Sequence, residues 1–386
     1  MNALLALFLS LVYPFLLPMW KLRYLHTRGR NLRLLAALEM QPPSPRRRCR
    51  INVAMPLLAL YFDGHSDMRV DFRLTRESFN ALMAVLGTDC DHGWGPEISC
   101  LVFIFWLASA TSYRVVARAF DMPRATVHRL VHRMSGQIAA LLYTVVRHPT
   151  GEELPRLGAR FARLAGSAAF SRVVGAIDGC HIRVKPPAED AACYFNRKLF
   201  HSIQLQAICD DKCKFIDVCV GYPGSVHDAR VLKNSPIYYE QSYPPPGYCI
   251  LGDGGYPCLS QPICLMTPFR QPVRNHLQAR YNCCLSKARC VVERSFGILK
   301  TRWRSIFLKA LEVDVRFVPE VIVCCTVLHN ICLTNGDLLE PDADVGRAAE
   351  DQPAPEPAPA PPGNVSGAEN RERIAIQCYV PDHDYI

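Results

Sequence analysis

The sequence predicts an α/β protein with a helical region in front of its sheet. Between about residues 70 and 145, apolar residues recur at helical spacing. From about 172 to 305, strand-like apolar runs alternate with helical stretches, and two of those runs end in an Asp followed by Gly. The order is strand with Asp, hairpin, helix, strand with Asp and long helix, which is typical of an α/β layer architecture.

The 386-residue chain divides into four predicted segments. Residues 1–69 form an apolar and basic segment, and residues 70–150 form a helical, DNA-binding helix-turn-helix domain. Residues 151–336 form the α/β domain. Residues 337–386 are rich in Pro, Ala and acidic residues, with 3 Lys and Arg against 11 Asp and Glu. Because such a composition buries too little apolar area to offset the cost of ordering, we predict that this tail is disordered.

Composition and charge exclude several classes of protein. Hydrophobic residues make up 49% of the chain and charged residues 20%, which excludes wholesale disorder and a polytopic membrane protein. The 18 cysteines contain no C-x2-C pair, so zinc modules and a secreted disulfide scaffold are disfavoured and a reduced intracellular compartment is favoured. The net charge of +9, against an acidic tail, suggests a polyanionic partner, most simply nucleic acid.

The first fifty residues leave two questions open. Leu4 to Trp20 is strongly apolar, which suits a membrane anchor or a buried helix. We favour the helix because Pro14 and Pro18 interrupt the run and about 17 residues are marginal for spanning a bilayer. The basic run Arg46 to Arg50 is equally consistent with a nuclear localisation signal and with a solvated linker.

A helix-turn-helix is predicted between Ser112 and Ile138. A short helix from Tyr113 to Phe120 precedes a four-residue break, and a second helix follows whose apolar residues lie on one face. The polar side of the second helix and its start supply the candidate DNA-binding residues, which are Arg124, Thr126, His128, Arg129, His132 and Arg133. The alternative is an ordinary helical hairpin with a solvated basic face.

Four acidic residues are the candidate catalytic and metal-ligating groups. Asp178 and Asp253 each end an apolar strand, Asp228 begins a helix-like stretch, and Glu293 lies on a long helix predicted from about 277 to 304. Asp178, Asp253 and Glu293 together could hold one or two Mg²⁺ or Mn²⁺ ions, because hard cations prefer oxygen ligands and two such ions assist in-line phosphoryl displacement. Basic residues around them would hold the DNA backbone; the candidates are Arg183, Lys185, Arg197, Lys198, Arg294 and Lys300.

Each acidic residue also has a structural interpretation. Asp178 and Asp253 could be turn formers beside Gly, and Asp228 could serve the helix dipole. Glu293 could face solvent or pair with an Arg. Spacing along the chain leaves open whether the four carboxylates meet.

Six sequence blocks resemble the Harbinger-type transposases and the domesticated Harbinger transposase-derived nucleases of animals, over about residues 70 to 335. The blocks are Ala176–Ile182, Asn196–Lys198, Gly224–Asp228, Gly252–Tyr256, Val292–Lys300 and Val327–Ile331. Three positions depart from the family pattern and bear on substrate positioning. Cys180 stands where Thr is usual, Leu199 where Gly is usual, and Gln204 where Asn is usual.

The resemblance implies an RNase H-like DDE catalytic core preceded by a helix-turn-helix region. It implies a divalent-metal-dependent endonuclease in which Asp178, Asp253 and Glu293 are catalytic and Asp228 is a further metal-site residue. It also implies residence in the nucleus, with the cytoplasm as a second compartment, and a Myb-like DNA-binding partner protein. No small-molecule cofactor is expected, and a homo-oligomer stays open. The alternative is a domesticated DNA-binding protein that does not cleave.

Overall fold

The computed structural model describes residues 55–63, 66–87, 94–307, 309–339 and 363–379. The apolar run at 4–20, the basic run at 46–50 and the Pro/Ala-rich run at 353–362 lie outside the described residues. None of the helices in the described part is long and apolar enough to cross a membrane.

Eight helices precede the sheet in the described ranges. They are α1 (Pro56–Asp63), α2 (Arg69–Phe72), α3 (Arg76–Leu86), α4 (Gly95–Ser109), α5 (Tyr113–Ala119), α6 (Arg124–Ala140), α7 (Leu142–Val145) and α8 (Leu154–Ala165). Helix α3 begins where its sequence predicts, because the Thr75 side chain accepts a hydrogen bond from the Ser78 amide. Helix α4 is buried along nearly its whole length, as its continuous apolar run predicts.

The predicted helix, short break and second helix are present as α5 and α6. The apolar face of α6 is buried, with Val127, Val131 and Ile138 fully inaccessible to solvent. This face packs against α4 and against α14 (Val318–Thr334), a helix that follows all five strands in the sequence. One apolar core therefore runs through both predicted domains, and the boundary near residue 150 stays a prediction.

The sheet has five strands in the order β3-β2-β1-β4-β5. They are β1 (Val173–Arg183), β2 (Ser202–Cys209), β3 (Phe215–Pro223), β4 (Cys249–Leu251) and β5 (Leu265–Met266). The first three strands are antiparallel, whereas β4 and β5 run parallel to β1 and to each other. The α/β class and the helical N-terminal region are thus confirmed, and the mixed sheet is consistent with an RNase H-like core.

Short helices and one long helix complete this layer. Helix α9 (Ala191–Tyr194) lies between β1 and β2, and α10 (Asp228–Lys233) and α11 (Pro236–Glu240) lie between β3 and β4. The long helix α12 (His276–Arg302) packs on α8 and β1, and α13 (Arg304–Phe307) follows it. Asn275 caps α12 by accepting a hydrogen bond from the Gln278 amide, which places its start one residue from the predicted one.

The predicted disorder of residues 337–386 is wrong for the parts of that segment that the structure describes. Residues 365–377 form the helix α15 (Val365–Gln377), which packs on α12 and β5, and Ala375 is buried. Asp337 is buried as well and forms an ion pair with Arg302 at 3.2 Å. The composition of the whole tail concealed these features, because a capping Asn364 and one apolar helical face are local signals.

Candidate active site

Asp178 and Asp253 lie side by side because their strands are parallel neighbours. Asp178 is on the central strand β1, and Asp253 follows the end of β4. Ala176 of β1 is opposite Leu251 of β4, so each aspartate is two residues beyond a paired position. Residues at corresponding register positions of two neighbouring parallel strands lie next to each other. Strand register therefore brings together two residues that are far apart in sequence.

Asp228 faces the same place from the start of α10. Its carboxylate accepts a hydrogen bond from the Gln204 side-chain amide on β2. A Cβ atom on Gly255 would lie 3.6 Å from Asp228 Oδ2 and 3.1 Å from Asp253 Oδ1. A Cβ on Gly179 would lie 2.6 Å from Asp228 Oδ1. The two glycines therefore leave room for carboxylates that converge on one point.

Glu293 reaches the cluster through Arg289, one turn earlier on α12. Arg289 Nη2 lies 3.2 Å from Asp178 Oδ2, and Arg289 Nη1 lies 3.9 Å from Glu293 Oε1. The Asp178 side chain is 22% exposed, whereas that of Glu293 is 61% exposed. Glu293 thus stands at the solvent edge of the site, and the guanidinium bridges it to the buried aspartate.

Burial and mutual repulsion raise the pKa values of two of these aspartates. Burial is the main cause for Asp178, whose pKa rises to about 6 although the Arg289 charge opposes the change. Burial also raises the pKa of Asp228 to about 7, and the negative charges of Asp253 and Asp178 add to it. The carboxylates are therefore close enough to oppose one another's ionisation.

The donor chemistry of this cluster fits a hard divalent cation. Asp178, Asp228 and Asp253 present carboxylate oxygens, which Mg²⁺ and Mn²⁺ prefer, and a cation would relieve their repulsion. The buried Tyr256 hydroxyl beside them makes no hydrogen bond within the described residues. Among those same residues, no group of three or more His, Cys, Asp or Glu side chains is already arranged to hold a metal ion.

The predicted DNA-binding residues of α6 divide into two groups. Arg124, His128 and Arg129 are exposed, and Thr126 is half-buried. His132 is half-buried, with its ring 4.1 Å from that of Phe317, and the Arg133 guanidinium donates to Ser99 Oγ at 3.3 Å. The outer group is open to solvent and its contact with DNA stays a prediction, whereas the inner two residues contact other helices of the protein or their ends.

The predicted basic residues differ in exposure and in their electrostatic effect on the acidic cluster. Arg183, Lys185, Arg197, Lys198 and Arg294 are exposed, and Lys300 is half-buried. The positive charge of Arg197 acts to lower the pKa of Asp228. Lys198, Arg197 and Lys300 help burial, the main cause, to lower the pKa of His181 to about 4. Positive potential thus adjoins the carboxylates on the side of the chain that connects β1 to β2.

The sequence analysis missed three groups that shape the site, namely Arg289, Gln204 in its role as a partner of Asp228, and Tyr256. Arg289 had a usable signal, since it lies four residues before Glu293 on a predicted helix. The contacts of Gln204 and Tyr256 depend on how strands and loops pack, which no local pattern indicates.

Comparison with known proteins finds a family that matches the part of the chain that contains the acidic residues. The family model of the DDE superfamily endonuclease matches residues 177–330, which include all four acidic residues. The human protein named "Putative nuclease HARBI1" is 28% identical over 248 residues, which cover 62% of this chain and 68% of that protein. "Protein ALP1-like" of Arabidopsis thaliana is 28% identical over 294 residues, 69% of this chain and 70% of that protein. No solved structure matches. Residues 177–330 therefore match the DDE superfamily endonuclease family, and the chain is distantly similar to proteins named as Harbinger-derived nucleases.

Proposed function

We propose that this protein is a divalent-metal-dependent DNA endonuclease of transposase origin. The observation that carries the proposal is the register of β1 and β4, which sets Asp178 beside Asp253 with the Asp228 carboxylate facing them. Carboxylates that raise one another's pKa destabilise the folded protein when they are charged, unless a bound cation offsets their repulsion. A divalent cation is the ligand that such a set binds best.

In the proposed site, Asp178, Asp228 and Asp253 hold the cation and Glu293 completes the set from the solvent edge. When bound, a pair of Mg²⁺ or Mn²⁺ ions would activate water and stabilise both oxygens of an in-line phosphodiester displacement. Arg289 orients Asp178 and Glu293 by contacting both. Gln204 orients Asp228 by donating a hydrogen bond to its carboxylate.

The DNA would be held outside the acidic centre by two basic surfaces. Arg124, His128 and Arg129 on the exposed side of α6 would enter or line the major groove. Exposed cations such as Arg183, at the end of β1, and Arg197, whose charge acts on Asp228, would hold the phosphates. We further propose nuclear residence and assistance from a Myb-like DNA-binding partner, on the strength of the family relationship.

The decisive experiment is nicking of supercoiled plasmid DNA in the presence of Mn²⁺. Asp178→Asn, Asp253→Asn and Glu293→Gln should each abolish the nicking. Each substitution removes one negative charge from the site while it leaves the shape of the side chain nearly unchanged. Asp67→Asn and Glu77→Gln are matched controls at exposed positions and should nick like the wild type. Equal nicking by the wild type and the three site variants would refute the assignment.

A second function, DNA binding without cleavage, is favoured by one observation. The Arg289 guanidinium already supplies a positive charge to Asp178 and Glu293, so the set can persist as a structural ion pair. Binding and cleavage measured in the same preparation separate the two functions. Sequence-selective binding with nicking no greater than that of Asp178→Asn would favour the protein that only binds.

A further inference from the structure

The chain that connects α9 to β2 presents an exposed tip made of Arg197, Lys198 and Leu199, which we call the basic tip. All three residues are exposed, and Leu199 is 74% exposed. The backbone of Leu199 has a φ of +62°, in the left-handed region that residues with a Cβ rarely adopt. An apolar side chain thus projects into solvent between charged neighbours and the sheet.

A buried asparagine holds this tip in one shape. Asn196 is 3% exposed, and its Oδ1 accepts hydrogen bonds from the amides of Lys198 at 2.9 Å and Phe200 at 3.3 Å. The backbone amide of Asn196 donates to the Phe200 carbonyl at 3.0 Å, and the backbone amide of Leu199 donates to the backbone carbonyl of Asn196 at 3.1 Å. The direction of the Leu199 side chain is therefore fixed before any ligand arrives.

The base of the tip is tied to the candidate active site. Asn196 Nδ2 donates to Ser202 Oγ at 2.8 Å, and that oxygen lies 3.0 Å from His181 Nδ1. His181 is three residues beyond Asp178 on β1. On the other side, the Ser225 amide donates to the Cys193 carbonyl at 3.2 Å, just before Asp228. Contacts thus join the tip to two of the strands and loops that carry the carboxylates.

A leucine is an unfavourable residue at this exposed position within the described part of the chain. A branched residue in the left-handed region costs free energy that glycine avoids, and its exposure adds apolar surface to water. Leu199 also follows two exposed cations, which attract a polyanion. A ligand with a charged backbone and an apolar interior would satisfy both features, and duplex DNA has these properties.

We propose that Leu199 is a wedge that enters the base stack of bound DNA while Arg197 and Lys198 hold the adjacent phosphates. This inference rests on the proposed function, since it assumes that DNA lies over the acidic cluster. Apolar wedges unstack a base step and bend the duplex, and unstacking costs less where a base is already unpaired. The protein should therefore prefer DNA that contains a local defect.

The test compares two fluorescent duplexes of the same length, one fully matched and one with a single-nucleotide bulge. Anisotropy titrations use the full chain in EDTA, so that binding is measured apart from cleavage. The wild type should bind the bulged duplex about tenfold more tightly than the matched duplex, a factor that corresponds to about 1.4 kcal/mol. A 2-aminopurine beside the bulge should become brighter on binding, because an unstacked base is less quenched.

Leu199→Ala and Leu199→Gly should lose both the preference for the bulge and the 2-aminopurine response. Glycine suits a left-handed position, and alanine keeps the Cβ that leucine already has there, so both variants are designed to fold. Val70→Ala is the matched control, because Val70 is also 74% exposed but lies on α2, away from the acidic cluster. It should behave like the wild type.

The outcomes separate the failure of this inference from the failure of the proposed function. If the Leu199 variants keep the wild-type preference and 2-aminopurine response, the wedge is refuted and the endonuclease proposal stands. If the wild type binds neither duplex, the proposed function fails and the wedge fails with it. If Leu199→Ala changes the molar mass measured by light scattering but not the DNA response, the tip contacts protein and the wedge is refuted.

Discussion

Replacing the Asp228 carboxyl group should stabilise the metal-free protein by an amount that grows as the pH rises from 3.8 to about 7. Burial and the charges of Asp253 and Asp178 raise the pKa of Asp228 from 3.8 to about 7. Because its folded-state pKa is raised, the contribution of Asp228 to the free energy of unfolding is fully present below pH 3.8 and is lost as the pH rises through about 7. Asp228→Asn removes this loss while leaving a side-chain oxygen that can accept the hydrogen bond from Gln204.

The size of the effect follows from the size of the pKa change. Each pKa unit corresponds to about 1.4 kcal/mol, so the full change sets an upper value of about 4 kcal/mol. Because neighbouring carboxylates titrate together and share the repulsion, about 2 to 4 kcal/mol is expected at pH 8. Near pH 4 the aspartate is protonated in the folded state, and the difference between variant and wild type should approach zero.

Thermal unfolding in EDTA, followed across this pH range, measures the effect. The Tm of Asp228→Asn should exceed that of the wild type by several degrees at pH 8 and match it near pH 4. Addition of Mg²⁺ should raise the Tm of the wild type more than that of the variant. Asp217→Asn is the control, because Asp217 lies 3.4 Å from His148 outside the cluster and its loss should not stabilise. A variant no more stable than the wild type at pH 8, or equally stabilised at both pH values, would contradict the reasoning.

Two further predictions concern the C-terminal segment that the structure describes. Asp337→Ala should lower the free energy of unfolding by about 3–5 kcal/mol in urea titrations, because it leaves the buried Arg302 without its ion-pair partner. Asp67→Ala, which breaks an exposed pair with Arg69, should cost less than about 1 kcal/mol, and equal losses would overturn the argument. Gly367→Ala would place a Cβ 2.6 Å from the Cys258 carbonyl oxygen and should speed hydrogen exchange throughout α15. Gly297→Ala, where a Cβ meets nothing within 4 Å, should leave that exchange unchanged. The prediction for Gly367 is contradicted if both variants exchange alike.

The parts of the fold that local signals encode were predictable from the sequence. Thr75 caps α3, the apolar spacing of α6 gives its buried face, and the Asp210–Lys212 turn joins β2 to β3. Asp178 and Asp253 were recognised because an apolar strand gains nothing from a carboxylate at its end. Asp178 proved to lie in the middle of β1 rather than at its end, and the proximity of the two aspartates was a hypothesis until the register of β1 and β4 placed them side by side.

Features that depend on distant contacts could not be predicted in the same way. Helical spacing places His132 and Arg133 on the polar side of α6, yet Phe317 and Ser99 cover them from other helices. The composition of the acidic tail indicates disorder as an average, whereas a few residues, Gly367 and Ala375 among them, form the face of α15 that packs on the rest of the protein. Apolar periodicity describes a single helix or strand, whereas the burial of these residues depends on the elements packed against it.

The electrostatics of the acidic cluster connect its stability to its chemistry. With a pKa of about 7, much of the Asp228 population carries a proton near neutral pH, and that proton reduces the repulsion from Asp253 and Asp178. Arg289 does the same for Asp178 by lowering a pKa that burial raises. A proton and a guanidinium thus supply the positive charge that three converging carboxylates require. Because neither has the charge density of a divalent cation, the cluster retains repulsion that cation binding would relieve, and it is this retained repulsion that favours a metal ligand over a purely structural role.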